Sequence, residues 1–435
     1  MSAPLSRLAS SLFLLFVACA EGQGPTGQDL GPPDLGAPDA EGADASDAGA
    51  LPDDTGAVTL DAGELDAQSR DVPALDPTRF GPTAGLATAR SSHSATLLAD
   101  GRVLVVGGFG ATGRPLASTE LYDPQTGQWS PGPTLDQARA NHLALRLPSG
   151  QVIIAGGGLD NNVGAPAGRG ILASVVLFDS TNGDLVPAAP LTEGRSHAAA
   201  TLLEDGRVLV VGGSSGTRTT QPNYGDALGN SEIYEPAADR WSPGPPLNTP
   251  RYLHSLLPLS SGEVAVIGGS DPTEAELLQV EILQPNDGSR RDGPNLTVGR
   301  VFQAAAPLAS GRGLIVCGKQ ANIRFLNSAE ILEADGAGLS AAPPLPGESR
   351  TAPTLSPLQS GHLLLAGGLH GSSAGFHVLA DAYLFDETGP AWTAITPLAQ
   401  ARVLHTATVL SDGSVLVCGG LSDTDTLSSC ERSEH

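Results

Sequence analysis

Three residue types recur in this chain at spacings that could do chemistry. Seven arginines each precede an apolar run: Arg90, Arg139, Arg195, Arg251, Arg300, Arg350 and Arg402. Four of them are followed three residues later by a histidine: His93, His142, His254 and His405. Further on stands a glutamate: Glu120, Glu232, Glu281, Glu330 and Glu431. Arginine and glutamate could form bidentate ion pairs. Imidazoles gathered from separate segments could bind a transition metal or relay protons. Two cysteines near the C-terminus, Cys418 and Cys430, could cross-link, and Cys19 lies at the end of an N-terminal apolar run.

The spacing decides which chemistry is plausible. The arginines lie 49, 56, 56, 49, 50 and 52 residues apart. Eleven residues after each comes a glycine, from Gly101 to Gly413. Seventeen after each comes the first of a Gly-Gly pair, except in the fifth unit, which has Cys317-Gly318. The stretch DGRVLVVGG even occurs twice, at 100–108 and 205–213. A residue kept at one place in every unit serves the unit before it serves a site. The arginines and glutamates are therefore expected to order each unit. The second and sixth units replace the glutamate with Val176 and Tyr383, so such a pair is not required everywhere.

Each unit reads as four short strands. An alternating run such as HSATLL comes first, then a Ser-Gly or Asp-Gly turn suited to a tight hairpin. A continuous apolar run, VLVVGG, follows. The third strand ends on Tyr122, Phe178, Tyr234, Leu283, Leu332 or Phe385, and the fourth is anchored seven residues later by Trp129, Leu185, Trp241, Arg290, Leu339 or Trp392. Arg290 breaks that pattern and suggests only an exposed edge. A Gly pair, then an aromatic, then Trp, at a period near 50, resembles the kelch repeat over about 78–435. The resemblance implies an all-β fold, a seven-bladed β-propeller of kelch repeats, with the paired glycines leaving room for neighbouring aromatic rings. The last unit stops after its third strand. RFGPTAGL, ahead of the first unit, matches QWSPGPTL, with Phe80 in the Trp slot. Residues 78–84 should thus supply the outer strand of blade 7 and close the ring.

Galactose oxidases, which share this propeller, place a Tyr-His copper pair in an Arg-x-Tyr-His setting. Here Ser92, Asn141, Leu253 and Leu404 precede the histidines. No tyrosine fills the slot. His93, His142, His254 and His405 are read as structural groups bonding loop carbonyls, and no cofactor and no catalytic residue are expected. Cys418 and Cys430 fall on adjacent strands of blade 7 and are expected to form a disulfide, leaving Cys317 reduced.

Variation is confined to one loop. From the Gly pair to the glutamate position the blades use 11 to 12 residues, except blade 6 with 15 and blades 2 and 3 with 19. In an up-and-down blade these loops share a face with the blade-to-blade connections, and insertions on one face mark a binding surface. They offer Asp160, Asn161, Arg169, Arg218, Asn223, Tyr224, Asp226, His370 and His377, which suit a protein or a polysaccharide.

The N-terminal part has another character. LASSLFLLFV is too short to span a bilayer, and FVAC, ending at Cys19, resembles a bacterial lipobox. Residues 1–18 are expected to be a signal peptide, Cys19 the lipidated N-terminus, and Ala20 implies outer-membrane sorting. The segment 19–76 is acidic and of low complexity, with fourteen Asp or Glu and one Arg between Glu21 and Asp76. It cannot bury enough apolar surface to order itself and is read as a tether. With a net charge of −24 the chain is a poor partner for nucleic acid. Two functional readings remain. One is a tethered, non-catalytic binding module facing the periplasm or the cell surface. The other is a sugar-modifying or atypical metal-dependent kelch enzyme.

Overall fold

The computed structural model describes residues 76–158, 170–215, 227–320, 324–372, 375–389 and 391–434. They form seven four-stranded antiparallel sheets, with one 3-10 turn at Pro236–Ala238 and no α-helix. This is a seven-bladed β-propeller. In blade 1 the strands run Ser94–Leu97, Val103–Val106, Thr119–Asp123 and Gln128–Pro131, from the axis outward. The second strand of every blade is buried along its whole length, as its unbroken apolar run requires. The third-strand aromatics Tyr122, Tyr234 and Phe385 sit opposite Trp129, Trp241 and Trp392, with ring centroids 4.9–5.0 Å apart. Arg290 occupies the Trp slot of blade 4, opposite Leu283 on the exposed outer strand Ser289–Asn295, with its guanidinium 3.9 Å from Glu281.

The Gly pairs make room for a neighbouring backbone as well as for rings. A Cβ on Gly107 would lie 2.3 Å from the carbonyl oxygen of Arg139, and one on Gly156 2.5 Å from that of Arg195. They clear space for the next blade's arginine backbone and, at Gly107, Gly212, Gly367 and Gly419, also for its imidazole ring, with Cβ-to-Cε1 distances of 2.7–3.2 Å to His142, His254, His405 and His93. The second glycine then donates its N–H to that same carbonyl. The bond runs from Gly108 to Arg139, Gly157 to Arg195, Gly213 to Arg251, Gly269 to Arg300, Gly318 to Arg350, Gly368 to Arg402 and, closing the circle, Gly420 to Arg90. Each arginine backbone is a hinge pin between two blades. Cys317 takes the first-glycine position of blade 5 with the left-handed backbone of its glycine counterparts (φ 64°) and is buried with a free thiol.

Blade 7 is completed from the other end of the chain. Arg79–Thr83 pairs antiparallel with Cys430–Glu434, from Arg79 opposite Glu434 to Thr83 opposite Cys430. Phe80 is buried among Leu364, Leu398, Val415 and Val417, at the seam of blades 6 and 7. Cys418 and Cys430 face each other across the second and third strands of this blade and are joined by a disulfide.

Candidate functional site

The seven arginine side chains are fully buried, each folded back into its own blade. In blade 1 the Arg90 guanidinium donates to the carbonyls of Gly107 (2.7 Å) and Ser118 (3.1 Å) and to Glu120 (2.6 Å). Glu120 also accepts from the backbone N–H groups of Ala87 and Thr88. Blades 3, 4, 5 and 7 repeat the pair at 2.5–2.9 Å through Glu232, Glu281, Glu330 and Glu431. Blade 6 substitutes Asp381, 3.1 Å from Arg350, and stacks the guanidinium over Tyr383. These pairs brace the turn that starts each blade. Burial lowers the arginine pKa and the carboxylate opposes the shift, so the charges persist.

The four histidines do not converge on a common centre. His142 Nε2 is bonded to Ser94 Oγ of blade 1 (2.8 Å), His93 Nε2 to Thr406 Oγ1 of blade 7 (3.0 Å), and His405 Nε2 to Thr354 Oγ1 of blade 6 (3.2 Å). Gln303 reaches Ser255 of blade 4 in the same way (3.2 Å). The partner is thus the hydroxyl that heads the neighbouring inner strand, not a loop carbonyl as expected. His254 faces Ala199 at that place, and both its ring nitrogens are buried without a hydrogen-bond partner. Burial and the nearby arginines hold His142, His254 and His405 at pKa values of about 3, so they stay neutral. Among the described residues no group of three or more His, Cys, Asp or Glu could hold a metal ion.

Around the axis lies a ring that sequence reading missed. The residue two after each arginine has a left-handed backbone: Ser92, Asn141, His197, Leu253, Phe302, Ala352 and Leu404, with φ between 51° and 57°. Their backbones link around the axis, as where Ser92 N–H donates to Leu404 and Asn141 N–H to Ser92. All seven are half-buried. Everything around them repeats, yet their side chains differ in size and polarity, so they give the channel mouth its own chemistry. The sequence carried one clue, the variability of this position inside a repeated frame.

The blade 6 insertion is a second hairpin, Leu369–Ser372 with Gly375–Val378, beside a short one in blade 5, Lys319–Gln320 with Arg324–Phe325. His370 and His377 are cross-strand partners with rings 5.0 Å apart. His370 Nδ1 bonds the Ser349 carbonyl at 2.7 Å, and His377 Nε2 meets Glu348 at 2.6 Å. Phe325 stands 6.2 Å from His370 and 6.0 Å from Phe376, whose ring is 39% exposed. Together they make an aromatic ridge across blades 5 and 6. Val378 N–H donates to Asp423, tying the ridge to blade 7. Asp160, Asn161, Arg169, Arg218, Asn223, Tyr224 and Asp226 fall outside the described residues, as does Cys19.

Strand direction orders the two faces. Insertions and blade connections share one face, so the outer strand Arg79–Thr83, which leads into a connection, starts from the opposite face. There Asp76 accepts from Ser360 Oγ (2.6 Å) and is bonded to His362 Nδ1 (2.6 Å), at the first hairpin turn of blade 6. The chain therefore joins the propeller on the face away from the insertions.

The Kelch motif family matches residues 90–135, which is blade 1 from its arginine to Leu135. The blades are kelch repeats. Beta-scruin of Limulus polyphemus is 25% identical over 213 residues, 49% of this chain and 23% of its own length, so the likeness spans under a quarter of that protein. Among solved structures, a fungal alcohol oxidase of the AA5 family in complex with copper superposes with a TM-score of 0.66 at 17% identity, covering 82% of this chain and 76% of its own. At that identity the likeness is one of fold. The copper implied by such a neighbour does not fit here: the residues before His93, His142, His254 and His405 are Ser92, Asn141, Leu253 and Leu404, and three of the four imidazoles are engaged with adjacent blades.

Proposed function

We propose that this propeller is an exported, lipid-tethered binding module that presents its insertion face to a protein or polysaccharide partner. The observation that carries the reading is the opposition of the two faces. The blade 6 insertion with its aromatic ridge lies on one, and Asp76 is held on the other. Aromatic groups with polar neighbours at the ridge, such as Phe376 beside His377 and Glu348, suit the centre of a recognition surface. Kelch repeats are widely used for protein interactions, which favours a protein partner over a glycan.

Peptide and glycan arrays probed with the whole protein test this. Phe376→Ser and a 214–229 loop cut to the length of blade 1 should each lose at least tenfold in affinity for whatever ligand is found, with melting unchanged. Retained affinity in both would move the site elsewhere. Cys19→Ala should release the protein from the membrane fraction. A stoichiometric metal that disappears in the His93→Ala/His405→Ala double variant would favour the enzymatic reading instead.

A further inference from the structure

Blade 2 has the frame that holds a carboxylate in the other blades, but no described acid stands at that position. Val176 stands where blades 1, 3, 4, 5 and 7 have glutamate, and its side chain is shorter by one carboxyl group. Arg139 is nonetheless as buried as its six counterparts, 1% exposed. Its guanidinium donates to the carbonyls of Gly156 (3.0 Å) and Ser174 (3.1 Å) and to Ser174 Oγ (3.0 Å), while Nε has no partner. Among the described residues no acidic side chain neutralises it. Burial therefore pulls its pKa down to about 10 with nothing opposing the shift.

The other blades show what is missing. Glu120 collects three donors: the N–H groups of Ala87 and Thr88 and the Arg90 guanidinium. Glu281 and Glu431 do the same in blades 4 and 7. In blade 2 the matching donors are the N–H groups of Asp136 and Gln137 with the guanidinium of Arg139. Gln137 does not stand in for the acid. Its side chain accepts from Ser174 Oγ (2.7 Å), but blade 7 has the same contact between Gln400 and Ser429 (2.5 Å) and still keeps Glu431. Blade 6 recovers a carboxylate through Asp381, two residues before Tyr383, whereas the matching residue of blade 2 is Ser174. Asp136 and Gln137 are exposed and Val176 is half-exposed, so the two backbone donors lie near solvent while the guanidinium itself is covered. The slot lies on the face that carries the blade connections.

We propose that this slot binds a carboxylate from outside the blade, accepting from Asp136 N–H, Gln137 N–H and the Arg139 guanidinium. The binding energy comes from charge-assisted hydrogen bonds to a cation already stripped of water. The carboxylate could be a free small acid or an acidic group on a ligand, and either would enter the same donors. The inference rests on the insertion-face reading only for its use, since occupancy can be measured with no partner present.

The test is a melting titration of the whole protein with sodium formate against sodium chloride at matched ionic strength. Formate should raise the melting temperature progressively and chloride should not. Val176→Glu, which restores the acid of the other blades, should melt higher without formate and lose the formate response at least tenfold in concentration. Because that variant could fold poorly, 13C-formate line broadening on the wild-type protein gives a second readout, and acetate should compete it away. N-acetylglutamate amide separates the sources: competition at similar concentration points to an acidic side chain, and none points to a free anion. Equal effects of formate and chloride, absent broadening, or an unchanged formate response in a folded Val176→Glu protein would overturn the proposal. The shortened 214–229 loop should keep the formate response even where it abolishes partner binding, so the two readings fail separately.

Discussion

The junction between blades 7 and 1 and the junction between blades 3 and 4 use the same backbone geometry and differ in everything added to it. Both have the Gly-to-Arg backbone bond, Gly420 to Arg90 and Gly213 to Arg251. The 7/1 junction adds two latches. Trp129 Nε1 donates to the Ala84 carbonyl at the rim (2.8 Å), and His93 bonds Thr406 near the axis (3.0 Å). Five of the other six junctions have one of the two: histidine or glutamine latches at 1/2, 4/5 and 6/7, tryptophan latches at 2/3 and 5/6. Among the described residues the 3/4 junction has neither, because Ala199 offers His254 no hydroxyl and Arg290 fills the Trp slot. The difference teaches where closure is hard. Blades 3 and 4 are consecutive in the chain and stay close without help. Blades 7 and 1 meet only by joining residues some 350 apart, and loop-closure entropy opposes that union.

The largest expected effect comes from breaking the ring at its closed end. Removing residues through Leu75 should leave the melting temperature unchanged. Removing them through Gly85 strips the outer strand, exposes the edge Cys430–Glu434 and deletes Phe80, whose ring alone is worth roughly 3–5 kcal/mol against alanine. Differential scanning calorimetry of the two truncations should show a sharp fall only in the second. Equal melting would mean that the ring is not closed by this strand.

Acid should load the weaker junction. His254 is buried, and its pKa lies at about 3 against 6.5 in an unfolded chain. Its folded pKa is depressed, so below pH 6.5 the unfolded chain binds the proton and the folded one does not. Stability is complete above that pH and falls as the pH drops toward 3. Blade 5 uses glutamine at this position, with Gln303 donating to the Ile267 carbonyl at 2.8 Å. His254→Gln should therefore retain about 3 kcal/mol more of its neutral-pH stability at pH 4 than the parent does, as read by urea unfolding at both pH values. Parallel acid limbs would show that the imidazole is solvated in solution.

Much of this frame was legible in the residues because repetition exposes it. Arg90 and its six counterparts, the Gly pairs and the match of RFGPTAGL to QWSPGPTL follow from aligning the chain with itself. Reasons were harder to read than positions. The glycines clear a backbone carbonyl of the next blade, a contact that in blades 1 to 6 joins residues 32 to 39 apart and leaves no pattern of its own. The left-handed ring at Ser92 to Leu404 is carried by ordinary residues rather than glycines, so composition does not mark it. Phe376 lay inside a loop already singled out for His370 and His377, yet its importance depends on Phe325 in the preceding blade. The empty carboxylate slot was visible as Val176, but only the buried geometry of Arg139 makes that absence consequential.

A smaller effect separates latched from unlatched histidines. His93→Ala leaves Thr406 without its partner and opens a void at a closed junction. His254→Ala opens a similar void but also removes two nitrogens that have no partner. Leaving a buried polar group unpaired costs about 1–3 kcal/mol. His93→Ala should accordingly destabilise by about 1–2 kcal/mol more than His254→Ala at pH 7.5, where both imidazoles are neutral. Equal losses would mean that the hydroxyl contact contributes nothing beyond packing.

The finest test adds the missing latch. Ala199 begins the inner strand of blade 3 at the place where Ser94, Ser255, Thr354 and Thr406 supply hydroxyls to their neighbours. Ala199→Ser changes one atom and should give His254 the partner it lacks. The site is half-buried and already accepts serine in two other blades, so the substitution brings no steric conflict. A net hydrogen bond to a buried neutral group is worth about 1 kcal/mol. The variant should gain that much in urea unfolding, and the gain should vanish in an Ala199→Ser/His254→Ala double variant, since the new hydroxyl then has nothing to meet. A stabilisation that survives loss of the imidazole would belong to the strand and not to the junction, and the contrast between the two junctions would then rest on the tryptophan latch and the ring-closing strand alone.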